Sequence, residues 1–81
     1  MKYELEIKSR ALKDLRRLDS GLRTRVIRHI EALRDDVKGD VKRLTNYSPK
    51  FRLRIGEYRV LFEIVEDKIE IHRIRNRSEL Y

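Results

Sequence analysis

The sequence has no cysteine and no tryptophan, a single proline and three glycines in 81 residues. Without cysteine there is neither a disulfide framework nor a thiolate metal site, which fits a reducing compartment. Glycines at positions 21, 39 and 56 are too few and too scattered for a loop that cradles phosphate. No apolar run approaches the length that crosses a bilayer, and Met1-Lys2-Tyr3-Glu4 leads into charge rather than into a hydrophobic leader. The expectation is a soluble, cytoplasmic protein with no membrane partner. A chain of this length supports one core, a sheet on one or two helices, so a single domain over residues 1–81 is expected, with no deep cavity for a small molecule.

Charge is what the sequence has in abundance. Lys and Arg number 21 against 14 Asp and Glu, a net +7, and the field around so small a domain attracts polyanions. Nucleic acid or an acidic protein is the expected partner. Residues 1–40 hold eleven bases and eight acids, the mixture found on solvated helix faces. From Lys42 to Arg59, by contrast, Lys42, Arg43, Lys50, Arg52, Arg54 and Arg59 meet Glu57 alone, and Arg73, Arg75 and Arg77 follow.

Periodicity gives the elements. Tyr3, Leu5 and Ile7 alternate with charged residues, which predicts a half-buried strand over 2–8. Ser9 offers an N-cap, and Ala11, Leu12, Leu15 and Leu18 recur at helical spacing until Asp19-Ser20-Gly21. Ser20 offers a second cap, and Leu22, Val26, Ile30, Leu33 and Val37 form the stripe of a longer helix over 21–37, with Gly39 as its stop. So short a connection predicts an antiparallel helical hairpin laid on one sheet. A short extended piece at Val41–Leu44 and a loop containing Pro49 come next. Then Phe51, Leu53 and Ile55 alternate with Arg52 and Arg54, Gly56-Glu57 turns the chain, and Tyr58, Val60, Phe62 and Ile64 alternate with Arg59, Leu61 and Glu63. After a second turn at Glu66-Asp67, Ile69 and Ile71 continue the apolar face. The fold class is α+β, in the order β-α-α-β-β-β, with the hairpin packed on a small, mainly antiparallel sheet.

A two-residue turn at Gly56-Glu57 sets Ile55 opposite Tyr58, Arg54 opposite Arg59 and Leu53 opposite Val60. Like charges so opposed destabilise a sheet unless an anion sits between them, and a phosphate would relieve the repulsion. Arg52 shares the face of Arg54. At His72-Arg73 the alternation fails, and two readings stand: a β-bulge that returns Ile74 to the core and turns Arg73 and Arg75 to the arginine face, or a strand that ends at Ile71. His29, His72, Tyr3, Tyr47 and Tyr58 are read as packing or surface residues. Neither histidine has a partner at metal-ligand spacing, and no carboxylate cluster falls on the arginine face, so neither metal nor cofactor is expected.

The run Arg52-Leu53-Arg54-Ile55-Gly56-Glu57-Tyr58-Arg59-Val60-Leu61-Phe62-Glu63, followed by Arg77-Ser78-Glu79-Leu80-Tyr81, resembles the signature of the RelE group in the RelE/ParE superfamily. The likeness reaches back through Leu18, Leu15 and Ala11-Leu12-Lys13 and covers essentially the whole chain. It implies the toxin of a type II toxin–antitoxin pair, a metal-independent endoribonuclease that cuts messenger RNA in the ribosomal A site by attack of the 2′-hydroxyl and so inhibits translation. On matching positions, Tyr81 would orient or deprotonate that hydroxyl, while Arg59 and Arg75 would stabilise the phosphate and the leaving group. Arg77 matches the arginine four residues before the tyrosine. Arg52 and Arg54 stand where the family often has lysine; arginine keeps the charge but not an easily shifted proton, which makes them phosphate clamps. Lys50 and Arg73 would add phosphate contacts. The implied partners are a small RelB-like antitoxin with an acidic helical segment, the ribosome with its messenger RNA, and operator DNA only through the antitoxin complex. The pattern can continue into a helix beyond Tyr81, so the tyrosine is expected to be mobile in isolation. Two other functions share these features: a non-enzymatic ParE-like inhibitor of DNA gyrase, and a basic RNA-binding module.

Overall fold

The alternation at the start of the chain forms β1 (Glu4–Ile7) in a computed structural model that describes residues 2–37, 39–46 and 48–79. Helices α1 (Ser9–Arg17) and α2 (Ser20–Leu33) follow, then β2 (Val41–Arg43), β3 (Phe51–Ile55), β4 (Tyr58–Val65), β5 (Lys68–Asn76) and a 3₁₀ turn at Arg77–Glu79. The short extended piece after α2 is thus a fifth strand. The five strands lie in the order β1-β5-β4-β3-β2, with β1 parallel to β5 and every other pair antiparallel.

Both helix starts fall one residue earlier than serine placement predicts. Lys8 occupies the cap position of α1 without a side-chain bond, and Ser9 lies inside the helix. At α2 the cap is Asp19, whose Oδ1 accepts the Leu22 N–H at 2.9 Å. A carboxylate there also answers the positive end of the helix dipole, which a serine hydroxyl does less well. The end of α2 falls at Leu33 rather than at 37, because Asp35 and Asp36 would place negative charge against the negative end of that dipole. Val37 still packs on the core from a non-helical segment, and Gly39 takes a φ of 92° that favours glycine.

The core lies between the helices and one face of the sheet, joining Ala11, Leu15, Val26, Ile30 and Leu33 to Leu53, Val60, Phe62, Ile69, Ile71 and Ile74. Phe62 is fully buried and stacks on Phe51, with ring centroids 5.5 Å apart. On α1 the buried stripe is Ala11, Asp14, Leu15 and Leu18, whereas Leu12 is 41% exposed. An acid thus takes a place in an apolar stripe.

The two helices are tied by Arg23. Its guanidinium donates to three carbonyls at the end of α1, those of Leu15 at 3.0 Å, Leu18 at 2.7 Å and Arg16 at 3.4 Å. A cation on orphan carbonyls is favoured by both hydrogen bonding and the helix dipole. Arg23→Ala should therefore lower stability by about 1–2 kcal/mol, read as a lower urea midpoint at unchanged slope.

Candidate functional site

Both helices pack on the face that carries Leu53, Val60 and Phe62, so among the described residues no helix covers the opposite face. Strand register decides what stands there. Arg54 pairs with Arg59, and Arg59 pairs with Arg75, so three arginines form one row across β3, β4 and β5. The next row runs Lys42, Arg52, Leu61 and Arg73. Leu61 is 5% exposed yet lies outside the core cluster; the ladder flanks it with Arg52 and Arg73, and its own strand with Arg59 and Glu63. Long basic side chains bury their stems over such a floor and keep their charge at the rim.

Of the two readings at His72-Arg73, the bulge is the one that forms. Phe62 pairs with Ile71 and Leu61 with Arg73, leaving His72 as the extra residue, and Ile74 returns to the core at 3% exposure. Arg75 thereby faces Arg59. Near it, a cleft of about 100 Å³ is lined by Asp14, Arg17, Leu18, Tyr58, Ile74 and Arg75. Arg77 opens the final turn, exposed, with its N–H on the Glu57 carbonyl at 2.6 Å, which brings it to the β3–β4 turn. Lys50 is exposed immediately before β3, beside a shallow groove of about 460 Å³ lined by Arg43, Leu44, Thr45 and Asn46 as well. Tyr81 and Tyr47 lie outside the described residues.

The arginines differ in how they are held. Among the described residues Arg52 has no hydrogen-bond or ion-pair partner, and Arg59 bonds only the Tyr58 carbonyl, from Nη1 at 3.4 Å. Arg54 donates from Nε to Asp40 Oδ2 at 2.5 Å, in a pair about half exposed on both sides. The repulsion between Arg54 and Arg59 is thus eased by a carboxylate of the chain itself. Arg73 bends to Asp14 on α1, with Nε to Oδ2 at 2.9 Å and Nη2 to Oδ1 at 3.3 Å. Towards β1 the same sheet face is neutralised by pairing: Lys68 and Lys8 hold Glu6 at 3.1 and 3.2 Å, and His72 lies 3.4 Å from Glu70. The positive charge left over sits at the β3–β4 end of the sheet.

A family model described as "ParE toxin of type II toxin-antitoxin system, parDE" matches residues 5–81. This chain belongs to the RelE/ParE family of type II toxins. It is 31% identical over 75 residues to Toxin RelE3 of Methanocaldococcus jannaschii, covering 86% of this chain and 85% of that protein. It is 28% identical over 87 residues to the mRNA interferase toxin RelE of Escherichia coli, covering 100% of this chain and 92% of that protein. In structure, the toxin superposes on a chain of the RelB–RelE antitoxin–toxin complex from Methanococcus jannaschii with a TM-score of 0.79 at 26% identity, covering 94% of each. The fold is that of the RelE toxins, and the chain is the toxin of a type II toxin–antitoxin system.

Asp14, Arg23 and Asp40 are the residues of this toxin that sequence patterns did not single out. For Asp14 one signal existed, its position three residues after Ala11 on a buried stripe. Burial by itself would raise its carboxyl, but the Arg73 and Ile74 hydrogen bonds, with the charges of Arg73 and Arg75, outweigh that and hold it below the ordinary 3.8. A group depressed in the folded state stabilises the fold above its unfolded value, and that stability is lost as pH falls through the folded value. The thermal midpoint of the toxin should therefore drop on acidification from about pH 5 to about pH 3, and Asp14→Asn should flatten that part of the profile.

Proposed function

We propose that this toxin inhibits translation as a ribosome-dependent mRNA interferase, cutting message in the A site by metal-independent transesterification. The observation that carries the reading is the row Arg54–Arg59–Arg75 on a sheet face that no helix of the described residues covers, flanked by Arg52 and Lys42. The mRNA interferase name of the Escherichia coli relative supports it. Three guanidinium groups in register suit a phosphate whose charge rises during reaction.

In the proposed reaction the 2′-hydroxyl oxygen of one nucleotide attacks the adjacent phosphorus, and the bond from phosphorus to the 5′-oxygen breaks. The products are a 2′,3′-cyclic phosphate and a free 5′-hydroxyl. One proton leaves the attacking hydroxyl and one reaches the departing oxygen, so the sum is neutral. Arg59 is central in the row and stabilises the pentacoordinate phosphorane; Arg75 beside it stabilises the leaving oxygen. Arg52 and Lys50 clamp the flanking backbone, and Arg54 joins them when it exchanges Asp40 for phosphate. Arg77, at the turn next to this row, adds charge at its end. Tyr81 is assigned the proton of the 2′-hydroxyl, a role that any cation beside a phenol favours by stabilising the phenolate. The partner that silences the toxin is a RelB-like antitoxin whose acidic helical segment covers basic surface, by analogy with the RelB–RelE complexes. Operator DNA is reached only through that complex.

The test is to add the protein to a translating extract and map message ends. Cuts within codons on ribosome-bound message, absent from naked RNA, are expected. The match to a ParE toxin model gives the gyrase reading a specific footing. Intact message together with a block of DNA supercoiling would establish that reading instead. Binding to RNA with neither effect would leave a basic RNA-binding module.

A further inference from the structure

Among the described residues strand β1 pairs with Lys68–Ile71, the first half of β5. Beyond Ile71 the same edge of β5 faces no strand among the described residues, and the bulge at His72 turns the backbone where support is missing. Helix α1 fills the gap with one side chain. Asp14 Oδ2 accepts the Ile74 N–H at 2.9 Å and the Arg73 Nε–H at 2.9 Å, while Oδ1 takes Arg73 Nη2 at 3.3 Å. The Asp14 side chain is 7% exposed, so this carboxylate is a buried stand-in for a missing strand. The residue next in sequence to Ile74 is Arg75, opposite Arg59. Strand β4 fixes β5 from one side of that position, and Asp14 fixes it from the other.

We infer that Asp14 is a positioning residue for the arginine face: it anchors the bulged half of β5 so that Arg75 stands opposite Arg59, and it withholds Arg73 from RNA. The inference rests on the proposed cleavage reaction and adds to it a residue that touches neither RNA nor the reacting atoms. Two consequences separate it from a role in folding alone. Loss of the carboxylate lowers turnover without weakening attachment to RNA, because the charge released with Arg73 adds to the basic face. Loss of Arg73's charge leaves RNA affinity and its salt dependence unchanged, because that charge is spent on Asp14.

Asp14→Asn and Arg73→Met are to be compared with the parent toxin by single-turnover cleavage on programmed ribosomes, by ribosome affinity at several salt concentrations, and by the Arg75 side-chain N–H signal in ¹⁵N-labelled protein. For Asp14→Asn the expected result is a turnover lowered about tenfold to a hundredfold, the scale of a small misplacement, with affinity equal or tighter and a displaced Arg75 signal. Parental turnover or an unmoved Arg75 signal in folded Asp14→Asn overturns the inference. Should Asp14→Asn not fold, Arg73→Met decides. Unchanged affinity and salt slope with reduced turnover support the inference, whereas weaker binding with a salt slope reduced by about one makes Arg73 a phosphate contact and overturns it. If the parent itself leaves ribosome-bound message intact, the cleavage reading fails, and the Arg75 signal still reports on positioning.

Discussion

Arg59→Ala is expected to lower single-turnover cleavage on programmed ribosomes by about 10²–10³, the loss seen when one preorganised donor to a developing charge is removed. The folded state should be unaffected or slightly steadier. Arg59 lies between Arg54 and Arg75 in register, and Arg54 is paired with Asp40. Removing the middle charge relieves repulsion, and the one hydrogen bond lost is a long contact to the neighbouring Tyr58 carbonyl. Thermal unfolding measured beside the kinetics separates the two effects. Arg59→Lys should recover only part of the rate, because an ammonium keeps the charge and loses the planar fork. Cleavage at the parental rate by Arg59→Ala would remove the residue from the mechanism and leave the row as a binding surface.

Phe62→Ala is expected to cost about 3–5 kcal/mol, most of the stability that a domain of this size has to lose. Phe62 is fully buried and pairs with Phe51 across the β3–β4 ladder, where the rings stack at 5.5 Å. Its other ladder partner is Ile71, one residue before the bulge. A cavity here loosens the strand that carries Arg59 and the strand that carries Arg75 together. Toxicity should vanish although no basic residue has changed. Phe62→Leu keeps most of the volume and should cost less than half as much, on the order of 1–2 kcal/mol, so the pair separates cavity from charge in a urea titration.

The β3–β4 hairpin was legible in the sequence because a two-residue turn leaves one register, and Arg54 opposite Arg59 follows from it. Gly56 supplies the positive φ, 57°, that the turn requires. The bulge at His72 was one of two readings, since failed alternation alone does not distinguish an inserted residue from a strand end. Placement of Ile74 in the core settles it. Helix ends were misplaced by one residue where Asp19 and Ser20 compete as caps, and by four where two acids shorten α2. Asp14 and Asp40 could not be assigned from pattern, because their partners lie 59 and 14 residues away. The first forty residues also read differently once folded. Their acids and bases are mixed along the chain, yet α1 exposes Arg10, Lys13, Arg16 and Arg17 while its only acid is buried. The role assigned to Tyr81 falls outside the described residues and stays with the proposed reaction.

The parallel pairing of β1 with β5 joins segments that have both helices and three strands between them in the chain. Glu4 meets Lys68, and the buried carboxylate of Asp14 waits for the Ile74 N–H, a span of 60 residues. Contacts so distant in sequence form late and slowly, because the loop between them must close before they reward it. Until residues 68–76 have left the ribosome, Arg59 has no Arg75 beside it, and the central strand β4 has an open edge. A copy of this toxin synthesised only as far as β4 therefore cannot present its arginine row.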